Sequence, residues 1–259
     1  MSGRVEVHLD GYEVLVTGGT SGIGRGIAQA FLASGASVTV CGRNTPRELP
    51  AHGANSAQFM ACDVRDAQAV QRLLERLEAQ RGRLDVLVNN AGGSPPVEAA
   101  TASPRLTESL IQLNLIAPLH CAQAANRLMQ RQETGGSIIN IASVAGGLRA
   151  APTAAAYGAA KAGLLSATES LAMEWGPKVR VNAVVVGLVA TEHAHDHYGG
   201  PEGVRRIGEM FPLKRMGEPA DVAAACLYLA SPLAAYVSGA RIAVHGGGER
   251  PVFLYLADK

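Results

Sequence analysis

Aromatic side chains are scarce in this chain: they make up 4% of its 259 residues, against 47% for the hydrophobic set as a whole. Its interior must therefore be built from small and branched aliphatics, which suits strands buried on both faces beneath helices. Charge of one sign is also lacking. With 23 basic and 22 acidic residues the net charge is +1, which offers no field for nucleic acid or an anionic membrane. The four cysteines, Cys41, Cys62, Cys121 and Cys226, are scattered and form no CxxC pair. They suggest neither a zinc site nor a redox motif and read as small core residues of a reducing compartment. No apolar run is long enough to span a bilayer, Val181 to Ala190 being far too short. The segment Met1 to Asp10 carries Arg4, Glu6, His8 and Asp10 and has no apolar h-region, so a cytoplasmic protein without a signal peptide is expected. No internal repeat and no Pro/Gly/Ser linker divides the chain, and one domain over residues 1–259 is the reading.

What is present is a regular alternation of strand and helix patterns. Strands are expected at Glu13–Thr17, Ser37–Cys41, Ala57–Ala61, Leu84–Val88, Ser137–Ile141, Val179–Val184 and Arg241–Val244. Between them lie helical stretches at Ile23–Ala33, Val70–Leu77, about Leu106–Gln130, Tyr157–Glu174 and Asp221–Leu229. Such alternation means an α/β fold with a single doubly wound parallel sheet and helices on both faces. The stretch from about Ala190 to Arg215 has no clear pattern and follows a sheet strand. Ligands of open α/β sheets bind beyond the carboxyl ends of the strands, so this segment is a candidate substrate lid.

Directly after the first strand comes Thr17-Gly18-Gly19-Thr20-Ser21-Gly22-Ile23-Gly24, and then a helix. Gly18 permits a tight turn, Gly22 a close approach to a pyrophosphate, and Gly24 close packing of helix on strand. The helix N-terminus offers free N–H groups and the positive end of a dipole to phosphates. A glycine motif alone is weak, but here the strand before it and the helix after it are in place.

The spacing TGxxxGxG resembles that of the short-chain dehydrogenase/reductase family. Further landmarks follow in order: Asn89-Asn90-Ala91-Gly92 matches NNAG, Asn114 lies in the long helix, Ser143 ends the fifth strand, and Tyr157-Gly158-Ala159-Ala160-Lys161 matches YxxxK. The resemblance runs from about Gly11 to Gly248. It implies a Rossmann-type oxidoreductase that moves a hydride between a nicotinamide and a carbonyl or secondary alcohol. It also implies a cofactor site of Gly18, Thr20, Ser21, Gly22, Ile23, Gly24, Arg43, Asp63, Val64, Asn90, Ala91, Gly92, Tyr157, Lys161, Gly187, Val189 and Thr191. Asp63 should meet the adenine, Val189 and Thr191 the carboxamide. The catalytic set would be Asn114, Ser143, Tyr157 and Lys161. Tyr157 acts as the acid or base, Ser143 holds the substrate oxygen, and Asn114 helps position a water that joins Lys161 to solvent. No catalytic metal is implied.

Elementary chemistry gives that set a purpose. Tyr157 and Lys161 lie four apart on a helix and share a face. A phenol ionises near ~10, and a neighbouring ammonium is expected to lower that value. At the end of the second strand, Gly42 stands where an NAD site places an acid, and Arg43 follows it. Arg43 can pair with a 2′-phosphate, which favours NADP over NAD; as a solvated loop charge it would leave the choice open.

Two stretches depart from the family pattern. Val186-Gly187 replaces the usual Pro-Gly, which puts the local turn in doubt. His193, His195 and His197 alternate; a polar lid surface is the preferred reading over a metal site. The cleft residues Gly146, Gly147, Leu148, Ala151, Pro152, Leu188 and Val189 are nearly all small or apolar. They suit an apolar ketone or a 3-oxoacyl substrate, with Arg149 beside them. The helix of Tyr157 is apolar on more than one side, and a homotetramer is expected. The alternative function is a dinucleotide-binding sensor or scaffold without turnover. Against it stands a phenol and an ammonium kept in register with the glycine loop.

Overall fold

The computed structural model describes residues 6–192, 194 and 198–248. From the N-terminus come β1 (Glu13–Thr17), α1 (Gly22–Ala33), β2 (Ser37–Gly42), a short hairpin of β3 (Ala51–His52) and β4 (Asn55–Ser56), and β5 (Gln58–Ala61). Next are α2 (Ala67–Arg81), β6 (Val86–Asn89), α3 (Pro104–Ile111), α4 (Ala117–Met129), β7 (Gly136–Ser143) and α5 (Ala155–Trp175). The described part closes with β8 (Val179–Val186), α6 (Gly200–Glu209), α7 (Pro219–Ala230) and β9 (Arg241–Val244).

Seven parallel strands form one sheet in the order β5-β2-β1-β6-β7-β8-β9. The order reverses direction between β1 and β6, and a ligand crevice is expected outside the carboxyl ends there. Both faces are buried, and the period of two shows how. Val14, Val16, Val38, Val40, Val86, Val88, Ile139, Ile141, Val184 and Val186 face a core shared with α1 and α7. Leu15, Cys41, Met60, Leu87, Ile138 and Val181 face the opposite core with α2 and α4. All four cysteines are free and buried, as small core residues should be.

Local sequence explains most boundaries. The Asp66 carboxylate accepts from Gln68 N and Ala69 N to start α2, and Gly82 ends it at φ 75°. Ser103 caps α3 with Pro104 in its first turn. The helix expected over Leu106–Gln130 does span that region, but a π-turn at Gln112–Ile116 interrupts it. The segment expected to lack pattern contains α6. Gly199-Gly200-Pro201 reads as loop punctuation, yet Gly199 at φ 77° is the N-cap and Pro201 fits the first turn. Arg205 then pairs with Glu202 and Glu209 along the helix. His193, His195 and His197 lie outside the described residues.

A chain of buried polar groups crosses the middle of the fold. Asn89 Nδ2 donates to Asn140 Oδ1 at 2.9 Å and to Pro118 O at 3.1 Å. Asn140 Nδ2 donates to Thr168 Oγ1 at 2.9 Å, and Thr168 Oγ1 to Leu164 O at 2.8 Å. This links β6 through β7 to α5, with all three side chains buried. Asn89 and Asn140 are direct neighbours in the β6–β7 register.

Candidate active site

The glycine turn after β1 is clasped from β6. Thr17 Oγ1 accepts from Asn90 N and Ala91 N, both at 3.0 Å. Asn90 Nδ2 donates back to Thr17 O at 3.0 Å and Gly18 O at 3.1 Å. Gly18 takes φ 61°, which favours glycine, and so makes the tight turn. Gly24 is required by proximity: a Cβ there would stand 2.3 Å from Gly18 O and 2.4 Å from Asn90 Nδ2. The helix begins without a cap of its own, since the Ser21 side chain makes no capping bond and the first turn holds no acid.

This turn opens into a cavity of about 560 Å³ whose wall follows the strand order. Arg43, Asp63, Val64 and Arg65 line one end, after β2 and β5; Gly18 and Thr20–Gly24 form the middle. Asn90, Ala91, Gly92, Ser143, Tyr157, Lys161, Gly187 and Thr191 complete the other end. An extended ligand with a phosphate-bearing centre fits that shape, because the central wall is a helix N-terminus approached through glycines. Val189 is not on this wall; it forms an isolated bridge to Gly217. Asn114 is not on it either.

The arginine end has two features. The Asp63 carboxylate is held by Arg65, with Nε–Oδ1 at 2.9 Å and Nη2–Oδ2 at 2.6 Å. That guanidinium keeps the Asp63 carboxyl below its ordinary range, and the charge of Arg43 adds to the effect. Thr17 opens the glycine motif but is not among the expected site residues, and Arg65 is a site residue that no motif names. A basic residue two after the expected adenine ligand was the available signal for Arg65. Gly42 is open: a Cβ there would find only Phe59 Cε2 and Thr20 Oγ1, each at 3.9 Å. A Cβ at Gly42 would make only ordinary contacts, and β2 itself carries no acid beside Arg43.

At the other end, Tyr157 and Lys161 share one face of α5, with Lys161 Nζ 5.7 Å from the centre of the Tyr157 ring. Lys161 Nζ donates to Ile141 O at 2.8 Å and is buried. Burial lowers its pKa to about 8. The expected lowering of the Tyr157 pKa does not appear. Burial holds the phenol above its ordinary value, and its hydrogen bond with Ser143 pulls it back only in part. Desolvation of the phenolate outweighs the Ser143 hydrogen bond here. Ser143 also caps the turn Val144–Gly146, its Oγ accepting from Ala145 N at 3.2 Å.

Asn114 sits in the π-turn, fully buried, with its amide committed to backbone. Nδ2 donates to Gly93 O at 2.9 Å and Leu110 O at 3.0 Å, while Oδ1 accepts from Gly93 N at 2.9 Å. It flanks Gly92 on the same side as Lys161: a Cβ on Gly92 would meet Asn114 Oδ1 at 2.7 Å and Lys161 Nζ at 3.3 Å. The structure thus brings Asn114 to the lysine, but as a brace of the Gly92-Gly93 turn.

Val186 does not break the turn. It continues β8 in register between Ser143 and Val244, and Gly187 N donates to Val244 O at 3.0 Å. A valine, unlike proline, is at home in a central strand.

A second cavity of about 460 Å³ meets the first at Ser143, Tyr157, Gly93 and Gly187. Val144, Ala145, Ala150, Ala151, Ala154 and Leu188 supply most of its wall, with Ser94 and Arg149 as polar members. Of the expected cleft residues, Ala151 and Leu188 line it. Gly146, Gly147, Leu148, Pro152 and Val189 do not. Gly146 is instead buried against α5, where a Cβ would come within 2.9 Å of Lys161 C, and Leu148 is half exposed.

Comparison with known proteins agrees with this geometry. The family profile described as enoyl-(acyl carrier protein) reductase matches residues 18–249. The D-threitol dehydrogenase of Mycolicibacterium smegmatis is 36% identical, with 93% of this chain and 94% of the relative covered. The 3alpha-hydroxysteroid dehydrogenase of Mediterraneibacter gnavus is 33% identical, covering 91% of this chain and 96% of the relative. Among solved structures, ligand-free aldohexose dehydrogenase of Thermoplasma acidophilum superposes with a TM-score of 0.84 at 29% identity, covering 91% and 93% of the two chains. With motif order, sheet order and sequence in agreement, the chain belongs to the short-chain dehydrogenase/reductase family of nicotinamide-dependent oxidoreductases.

Proposed function

We propose that this chain is an active NADP(H)-linked reductase of an apolar ketone or a 3-oxoacyl group. The observation that carries the reading is the meeting of the two cavities at Ser143 and Tyr157. Gly18, Thr20, Ser21, Gly22, Ile23, Gly24, Asp63, Val64, Asn90, Ala91, Gly92, Gly187 and Thr191 would hold the dinucleotide, and Lys161 its nicotinamide ribose. The bound nicotinamide supplies the hydride.

The chain's own groups do the rest. Ser143 Oγ fixes the substrate oxygen, and Tyr157 gives that oxygen its phenolic proton as negative charge develops there. A buried phenol held above its ordinary value is protonated at neutral pH, which suits it to act as the acid of a reduction. Lys161 beside the ring stabilises the phenolate left behind. Asn114 is a positioning residue that holds the Gly92-Gly93 turn against the ammonium.

The cofactor preference rests on Arg43 beside the open Gly42. A guanidinium suits a 2′-phosphate, and no carboxylate of β2 competes for the ribose hydroxyls. The substrate class rests on the alanine-rich wall of the second cavity. Relatives named for a polyol and for a steroid stand at 36% and 33% identity, so identity does not choose between polar and apolar substrates. The wall supports an apolar substrate, because its six alanine, valine and leucine members offer few partners for a row of hydroxyls.

Parallel fluorescence titrations with NADPH and NADH are the test. NADPH should bind preferentially, and Arg43→Ala should weaken it by about 10- to 100-fold, the loss of a charge-assisted contact. NADH affinity should be unaltered. A preference for NADH in the parent protein would overturn the cofactor reading; binding of neither would leave a non-catalytic role.

A further inference from the structure

One contact ties the start of the late segment to the cofactor cavity. The Glu192 carboxylate accepts from Gly22 N, with Oε1 at 2.8 Å, across 170 residues of sequence. Gly22 is the first residue of α1 and lines the larger cavity, as does Thr191, the neighbour of Glu192. Thr191 lies close to the same turn: a Cβ on Gly22 would meet its Cγ2 at 3.5 Å. The helix has no local cap and no acid in its first turn. The anion at its positive end therefore comes from Glu192, 170 residues along the chain.

We infer that Glu192 is an internal competitor of the cofactor diphosphate, and so sets how tightly the dinucleotide binds. This rests on the reading of the glycine turn as the diphosphate cradle. An amide that donates to a carboxylate is not available to a phosphate oxygen, and two anions at one helix terminus repel each other. Dinucleotide binding must expel the Glu192 side chain, which releases the start of the segment from α1. The free protein thus divides between a form with the carboxylate on Gly22 and a binding-competent form. The observed affinity is lowered by the fraction in the first. Glu192 is exposed, so its replacement leaves the core untouched.

The test is binding of NADPH, NADH, ADP-ribose and adenosine to the parent, Glu192→Gln and Glu192→Ala proteins. Both variants should bind whichever dinucleotide the parent binds, and ADP-ribose, about two- to fivefold more tightly, the scale of one anion at a helix end. Adenosine, which carries no phosphate, should bind all three alike. Unchanged or weaker dinucleotide affinity in both variants, with a parent that binds normally, overturns the inference alone. Equal tightening for adenosine also overturns it, since the effect would then not be competition for phosphate. A parent that binds neither dinucleotide overturns the cradle and the inference together.

Discussion

Two side chains on α5 carry the proposed chemistry, and burial shapes both. Tyr157→Phe removes the acid and leaves the ring. Turnover should fall by about 10²-fold or more while NADPH affinity stays close to that of the parent; stopped-flow reduction beside fluorescence titration separates the two. Lys161 has a folded pKa of about 8 against an ordinary 10.5. Between those values the unfolded chain binds more protons than the folded one, so this group's contribution to stability rises with pH across the window. In Lys161→Met that increment is missing. The urea midpoint of the parent relative to the variant should climb from pH 8 to 10.5, and a flat difference would show the ammonium to be well solvated. Asn114 teaches a different lesson at this scale. Its motif position pointed to the active centre, and it does stand beside Lys161, but its amide is spent on Gly93 and Leu110. Sequence position named the neighbourhood, while the backbone partners on Gly93 and Leu110 needed the fold to be seen.

At the level of elements, the turn between β1 and α1 is the most constrained piece. Gly24→Ala would press a methyl into Gly18 O and Asn90 Nδ2, both fixed by the clasp from β6. The variant should lose about 1–3 kcal/mol of stability and its dinucleotide binding; an intact fluorescence titration would show that the turn can give. This turn was readable in the sequence because each glycine answers a local need. The strands were readable too, since β-branched runs buried on both faces leave little choice. The hairpin β3–β4 and helix α6 were not. The first has two residues per strand, too few for any period to register. The second opens on Gly-Gly-Pro, which signals a loop unless the later Glu202–Arg205–Glu209 pairing is weighed with it. The contact of Glu192 with Gly22 was out of reach for a simpler reason: no local pattern links two residues that far apart.

On the scale of the whole molecule, α5 presents a second face. Ala155, Ala159, Ala162, Ser166 and Met173 point outward alongside Glu169 and Ser170, with Met173 87% exposed. Such a face calls for cover, and a homotetramer is the assembly we propose. Light scattering should give four times the mass of one chain, and Ala159→Glu should yield smaller particles; a monomer in the parent would end the proposal. The buried polar chain Asn89–Asn140–Thr168 has a further consequence, for assembly of the fold itself. The buried middle of β6 and β7 is aliphatic apart from Asn89 and Asn140 (Val86, Leu87 and Val88 against Ile138, Ile139 and Ile141), and hydrophobicity alone would tolerate their sliding past each other. A shift of one residue would turn Asn140 away from Asn89 and strand two amides in an apolar interior. The mispaired chain is thus penalised as it forms, and the chain of amides favours the alignment in which α5, carrying Tyr157 and Lys161, packs over β7.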